Sequence, residues 1–171
     1  SGPPRPIIIA SVANPYPLGF LNSFDFGPDG RLYGPLFAGP TFTEGLVISV
    51  DVDSDNAPSS DPFNDGTVRV EAKGFKNPAA AKFGPDRKLT VLDQTGEVFK
   101  IDLNDIDNPG DNVKTLYTTL QPGLDNMVFA KDGTLYMTNN DEGWVAEILK
   151  SKQARIISVG GMIQPEGLAV L

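Results

Sequence analysis

The side chains that could do chemistry in this chain are carboxylates, lysines and tyrosines, because its 171 residues include no histidine and no cysteine. Without histidine, the usual general base and the Ser-His-Asp arrangement are excluded. Without cysteine, thiol nucleophiles, disulfides and thiolate-bound zinc are excluded as well. Any catalysis would therefore depend on the remaining side chains or on a hard metal ion held by oxygen ligands.

The densest group of carboxylates lies in the segment from Asp51 to Gly66, which begins with an Asp-x-Asp-x-Asp sequence. The calcium loop of EF-hand proteins begins in the same way, but Asn56 and Pro62 stand here where that loop has its glycine and its glutamate. We interpret this segment, and the similar stretch from Asp102 to Asn112, as solvated surface insertions rather than metal loops.

The formal net charge of −8 restricts the possible partners. A protein that follows a nucleic-acid backbone needs clustered lysine and arginine to displace counterions, and the sequence has no such cluster. The same excess of negative charge argues against binding to anionic membrane surfaces. No apolar run approaches the roughly 20 residues of a membrane span. We expect neither nucleic acid nor membrane as a partner. The compartment stays open, a secreted or periplasmic location being slightly favoured.

An internal repeat organises the chain. Each copy contains a turn aspartate between two short apolar runs, and the copies are Phe24–Tyr33, Ala81–Thr90 and Met127–Tyr136. The aspartates recur at intervals of roughly 50 residues, near the period of a propeller blade. An Asp-Gly pair supplies the positive φ of a tight turn in the first and third copies. Arg87 replaces that glycine in the second copy and must use a different turn or carry strain.

Two further strands follow each of these hairpins, which gives four antiparallel strands per copy. The sequence therefore predicts an all-β fold made of β-propeller blades, a little over three in this chain, in a single partial domain. The blade units are roughly 20–71, 77–118 and 123–160, a further blade starts at 164–171, and Ile7 to Val12 is an orphan strand before the first unit. Because three blades leave open strand edges, we expect self-association or a second segment to close the ring.

Three stretches of the repeat resemble the SMP-30/gluconolactonase-like propellers and the related NHL repeats. They are 26–33, 92–102 and 124–129, and the run at 160–170 fits the same pattern. The resemblance covers most of the chain and implies a propeller. It also implies calcium-dependent hydrolysis of a small lactone or ester in the channel. The alternative is a non-catalytic NHL-like segment that binds a protein or carbohydrate partner.

The resemblance implies where a metal would be held, since the ligands of that family come from the start of the innermost strand of several blades. The matching positions in this chain are Asn22, Ala79, Asp125 and Glu166. Asn22, Asp125 and Glu166 carry oxygens that suit calcium, whereas Ala79 leaves a gap. We expect these three as metal ligands, with Asp125 and Glu166 as the catalytic carboxylates. The alternative is that they line a wet channel and cap strand ends.

Other polar residues near these strands have plainer interpretations. Asn126 could be a second ligand, but we favour a turn residue with positive φ. Asp93 and Asn139 each follow the second strand of a blade, and we expect them to hydrogen-bond the backbone of the next turn. Lys82 lies near the channel by register, yet it points to the face opposite Phe83, which argues against a Schiff-base role.

Overall fold

The computed structural model describes residues 22–36, 45–52, 65–104, 108, 110–160, 162, 164, 165 and 167–170. These residues form twelve β-strands and no helix, in three sheets of four antiparallel strands. The strands are β1 (Asp25–Phe26), β2 (Leu32–Leu36), β3 (Gly45–Val50), β4 (Val68–Phe75), β5 (Pro78–Phe83), β6 (Leu89–Asp93), β7 (Glu97–Ile101), β8 (Lys114–Thr119), β9 (Leu124–Phe129), β10 (Leu135–Asn139), β11 (Trp144–Ile148) and β12 (Ala154–Val159).

Each sheet is one propeller blade, with its strands side by side in sequence order. Blade 1 holds β1 to β4, blade 2 holds β5 to β8, and blade 3 holds β9 to β12. The first strands of neighbouring blades contact each other, so they are innermost, and the fourth strands are outermost. The predicted all-β propeller architecture is confirmed. No helix of the part described is long and apolar enough to cross a membrane.

Three predicted features fall wholly or partly outside the described residues. The orphan strand from Ile7 to Val12 lies outside them, and so does most of the acidic segment after Asp51. Of the predicted further blade at 164–171, the described residues are 164, 165 and 167–170, and they belong to no strand.

The turn between the first and second strands has the same structure in all three blades. Asp29, Asp86 and Asp132 each accept a hydrogen bond at Oδ1 from the backbone N–H two residues later, at 3.2, 3.2 and 2.9 Å. The glycines of blades 1 and 3 have the predicted positive φ, 84° and 87°. Arg87 adopts the same turn with φ 59°. It therefore carries the strain of a left-handed backbone and does not use another turn.

The blades pack face to face because side chains alternate along every strand. Each blade has a forward face, toward the blade that follows it, and a back face, toward the blade before it. The core between blades 1 and 2 contains Tyr33, Val47, Ala72, Phe75, Ala81, Leu89, Val91 and Ile101. The core between blades 2 and 3 contains Ala79, Ala80, Leu92, Val98, Leu124, Met127, Leu135, Met137, Trp144, Ala146 and Ile148.

A polar network is buried on the forward face of blade 1. Arg31, only 8% exposed, donates from Nε to Ser49 Oγ at 2.8 Å and from Nη2 to the backbone oxygens of Gly66 and Thr67 at 3.2 and 3.0 Å. Ser49 Oγ lies 2.5 Å from Glu71 Oε1 and donates to it. Burial raises the pKa of Glu71, against the opposing effects of the Ser49 hydrogen bond and of Arg31.

The outer strand of every blade contains a β-bulge at the same place. The extra residue is Glu71 in β4, Tyr117 in β8 and Ile157 in β12. A bulge bends its strand and redirects the side chain of the extra residue. The three blades therefore share one backbone geometry with three chemically different side chains at this position.

Replacing Arg87 by glycine should stabilise the chain by about 1 kcal/mol, because glycine adopts a positive φ without the steric cost paid by a side chain. Urea unfolding would measure the change. Arg87→Ala is the matched control, since alanine removes the guanidinium but keeps the Cβ and hence the strain. A glycine variant no more stable than the alanine variant would contradict the assigned strain.

Replacing Glu71 by glutamine should stabilise the chain increasingly as the pH rises. The folded-state pKa of Glu71 lies above its ordinary value of 4.5, so its stabilising contribution is complete below that value and is lost as the pH rises through the folded pKa. Glutamine keeps an acceptor for Ser49 and does not ionise. The free energies of unfolding of both proteins, compared between about pH 4 and about pH 8, test this. A difference that does not change with pH would refute it.

Candidate functional site

The starts of the three inner strands converge. Ser23 forms a parallel bridge with Ala80, and its Oγ donates to Asn126 Oδ1 at 3.0 Å. One hydrogen bond and one bridge therefore join blades 1, 2 and 3 at this level. These three residues directly follow Asn22, Ala79 and Asp125, which are positions that the family resemblance assigns to the metal site.

The implied ligand positions are in different surroundings. Asn22 and Asp125 are half-buried, whereas Ala79 is completely buried. Glu166 lies outside the described residues. The structure therefore brings the neighbours of Asn22 and Asp125 into contact and leaves the third implied ligand without a description.

A bulge at the start of β9 sets the backbone of Asp125 and Asn126. Both residues lie opposite Thr138, because Leu124 pairs with Asn139 and the ladder resumes only at Met127. Thr138 is completely buried, and its Oγ1 accepts a hydrogen bond from the Asn126 N–H at 3.0 Å. A bulge of this kind redirects a side chain away from the regular ladder.

The favoured prediction that Asn126 is a turn residue with positive φ is wrong. Asn126 lies within β9 and is absent from the residues with positive φ. The bulge accommodates the additional residue without a left-handed backbone conformation. Its side-chain oxygen instead accepts hydrogen bonds from Ser23 Oγ and from the Met127 N–H, the latter at 2.8 Å.

Ala79 occupies the equivalent bulge of β5. Pro78 pairs with Asp93 and Ala80 pairs with Leu92, which leaves Ala79 as the extra residue. Its methyl group belongs to the core between blades 2 and 3. Together with Ala80, it gives the inner strand of blade 2 a small cross-section, and the neighbouring inner strands pack closely against it.

Asp93 and Asn139 hold the loops at this end of the blades. Asp93 Oδ2 accepts from two consecutive backbone N–H groups just before β5, both at 2.9 Å, and its Oδ1 accepts from the Thr95 N–H at 3.0 Å. Asn139 Oδ1 accepts from the Glu142 N–H at 2.8 Å. Both side chains bind turn backbone as predicted, and both are completely buried.

Lys82 and Asp25 tie the inner strands of blades 1 and 2 together. Lys82 Nζ donates to the Phe24 carbonyl at 2.5 Å, and burial lowers the pKa of Lys82 while Asp25 opposes that shift. Asp25 Oδ2 accepts from the Phe83 N–H at 3.0 Å. Sequence reasoning missed the role of Asp25. Its only signal was a carboxylate at the repeat position where blade 2 has Lys82.

The described residues include no group of three or more acidic side chains that could hold a metal ion. The described part of the implied site is one amide, on Asn22, and one carboxylate, on Asp125. Oxygen donors of this kind suit a hard cation, but calcium takes six to eight of them. A complete site would therefore need Glu166, backbone oxygens or water, and ligands from further blades.

Solved structures with the same fold include three proteins of different activity. Virginiamycin B lyase from Staphylococcus aureus matches with a TM-score of 0.57 and 14% identity, over 89% of this chain and 46% of that one. The calcium-binding protein regucalcin from Agrobacterium tumefaciens matches with a TM-score of 0.59 and 16% identity, over 79% and 43%. A predicted gluconolactonase matches with a TM-score of 0.58 and 18% identity, over 84% and 49%.

These matches confirm, at the level of fold, the resemblance to gluconolactonase-like propellers. The chain spans less than half the length of each of the three proteins. No family model matches the chain, and no curated protein matches it in sequence. Structural similarity at this low sequence identity shows a shared fold but not a shared activity, because one fold supports many functions.

Replacing Thr138 by valine should destabilise the chain by about 1 kcal/mol or more, because the Asn126 N–H would lose its acceptor inside the bulge. Valine has the same shape and is more apolar, so a loss of stability would be due to the hydroxyl. Thr138→Ser is the control, since it keeps the hydroxyl. Hydrogen exchange at the Asn126 amide should be faster in the valine variant only. Equal exchange in both variants would refute this role of Thr138.

Proposed function

We propose that this chain forms part of the channel of a calcium-dependent hydrolase that acts on a small lactone or ester. The observation that carries the proposal is the contact of Ser23 with Asn126, because it brings the starts of two inner strands together at one end of the blades. The fold shared with a calcium-binding regucalcin and a predicted gluconolactonase supports it.

In this proposal Asn22, Asp125 and Glu166 supply oxygen ligands to the calcium ion. Bound calcium would polarise the carbonyl group of the substrate. Asp125 or Glu166, as a carboxylate, would accept the proton of the attacking water. Thr138 and Ser23 act as positioning residues, because their hydrogen bonds to Asn126 fix the strand on which Asp125 lies.

The proposed channel needs further blades, from a second copy or from a second segment. In the described chain, Asn112 of blade 2 donates to the Glu71 carbonyl of β4 at 3.1 Å, and Thr118 of β8 donates to the Lys152 carbonyl of blade 3 at 2.6 Å. Each blade thus contacts the outer strand of the one before it. All six residues of β12 are exposed, as expected where a following blade belongs.

Calorimetric titration with calcium tests the metal site. The wild-type chain should bind calcium with a Kd below about 1 mM. Asp125→Asn and Glu166→Gln should each weaken binding at least about tenfold, because each removes a charged ligand. Asp132→Asn is the matched control, since it removes the same charge at a hairpin turn and should leave the affinity unchanged. Equal affinities in all variants would refute the assigned ligands.

Hydrolysis assays test the reaction separately from the metal. Simple five- and six-membered lactones should be hydrolysed by the protein, and a chelator should abolish the activity. Calcium binding without hydrolysis would support a binding module in place of an enzyme. Hydrolysis that persists in the presence of chelator would overturn the calcium-dependent mechanism.

A further inference from the structure

Blade 2 has an open groove where blade 1 is closed by a buried arginine. The strand registers of the two blades make Lys88 the equivalent of Arg31 and Lys100 the equivalent of Ser49. Arg31 fills the space beside β3 and β4 and is only 8% exposed. Lys88 instead pairs with Asp102 at 3.4 Å, and half of its side chain is exposed. The space that the arginine occupies in blade 1 is therefore not filled in blade 2.

The resulting cavity has a volume of about 610 Å³. Its wall includes Lys88, Lys100, Asp102, Thr115 and Tyr117. The volume lies within the range of roughly 300 to 1,000 Å³ in which proteins bind small molecules. The cavity is lined by hairpin-side residues of blade 2, whereas the proposed calcium ligands lie at the start of the inner strands. The two sites are therefore distinct.

A second cavity of about 350 Å³ extends the groove between blades 2 and 3. It shares Lys100 and Tyr117 with the first cavity and reaches Phe129 of blade 3. Tyr117 stands between the two cavities because it is the extra residue of the β8 bulge. Its half-buried ring has Lys100 Nζ at 5.6 Å and Lys152 Nζ at 5.1 Å from its centroid.

Charges of both signs surround the groove, and two of its lysines are each paired with a carboxylate. Lys100 Nζ lies 2.7 Å from Asp86 Oδ2, and Lys88 pairs with Asp102. Each pair offers N–H donors and carboxylate acceptors side by side, and Thr115 adds a hydroxyl. Because charges of both signs lie around the groove, with Lys150 and Lys152 as well as Asp132 outside the ion pairs, no single sign of ligand charge is favoured. The groove favours a neutral molecule with many hydroxyl groups and an apolar face for the Tyr117 ring.

We propose that this groove binds a neutral sugar, such as a hexopyranose unit. The ring of Tyr117 packs against the apolar face of the sugar. The Lys88–Asp102 and Lys100–Asp86 pairs hydrogen-bond its hydroxyl groups, as charged donors and acceptors do strongly. This site is independent of the proposed calcium site, and its failure would leave the proposed hydrolase untouched.

Saturation-transfer NMR with glucose, galactose, mannose and N-acetylglucosamine tests the proposal. At least one of these sugars should bind the wild-type chain, with a Kd on the order of 1 mM. Tyr117→Phe should retain the binding, because the ring remains. Tyr117→Leu should lose at least about tenfold in affinity, because leucine keeps apolar bulk without an aromatic face. Absence of binding by all four sugars would overturn the proposal.

Two further variants separate binding in the groove from other effects. Thr115→Trp leaves Tyr117 in place and fills the groove, so it should abolish binding in a chain that still folds. Tyr136→Leu makes the same change as Tyr117→Leu, but at a tyrosine of blade 3, and it should leave the affinity unchanged. Sugar binding that survives Thr115→Trp, or that is lost equally with Tyr136→Leu, would show that the groove is not the site.

Discussion

Each sheet in this chain has side chains on both faces, so a blade can be buried only by the blades on either side of it. That constraint explains why two of the three apolar clusters among the described residues combine side chains of neighbouring blades. The third consists of Leu36, Leu46, Ile48, Val50 and Val68 on the back face of blade 1. The constraint also explains the small residues of β5. Ala79 and Ala80 are completely buried between neighbouring inner strands, where larger side chains would hold the strands apart. In the outer strand β12, on which the described residues pack no further sheet, all six residues are exposed.

The repeat and its turns were predictable because the residues that specify each turn are close together in the sequence. Asp29, Asp86 and Asp132 each bind a backbone N–H only two residues away, so each turn is specified within a few residues of sequence. The same locality shows why Arg87 follows the common turn. The flanking strands pair in the same register as in the other blades, and the arginine accepts a left-handed backbone within that frame.

The bulges were not predictable, because each depends on a partner strand. The role of Asn126 is set by Thr138, which lies twelve residues away on the neighbouring strand. A bulge inserts one residue without changing the apolar and polar composition of its strand, so alternation alone does not reveal it. The contact of Ser23 with Asn126 spans 103 residues and depends on two blades being in place. The candidate ligand positions were therefore inferred from the family resemblance and the register of the repeat, whereas the contacts of the residues beside them depend on packing.

The outer bulge shows how a repeat can acquire different chemistry in each copy. The backbone requires only one additional residue at this position, and main-chain hydrogen bonds in the flanking ladder hold it there. The side chain is therefore under little constraint from the blade itself. Glu71 joins a buried polar network in blade 1, and Tyr117 stands at the edge of an open groove in blade 2. Ile157 lies on the forward face of blade 3, about half exposed. One repeated backbone feature thus carries a buried polar contact in the first blade, the edge of an open groove in the second, and a half-exposed apolar side chain in the third.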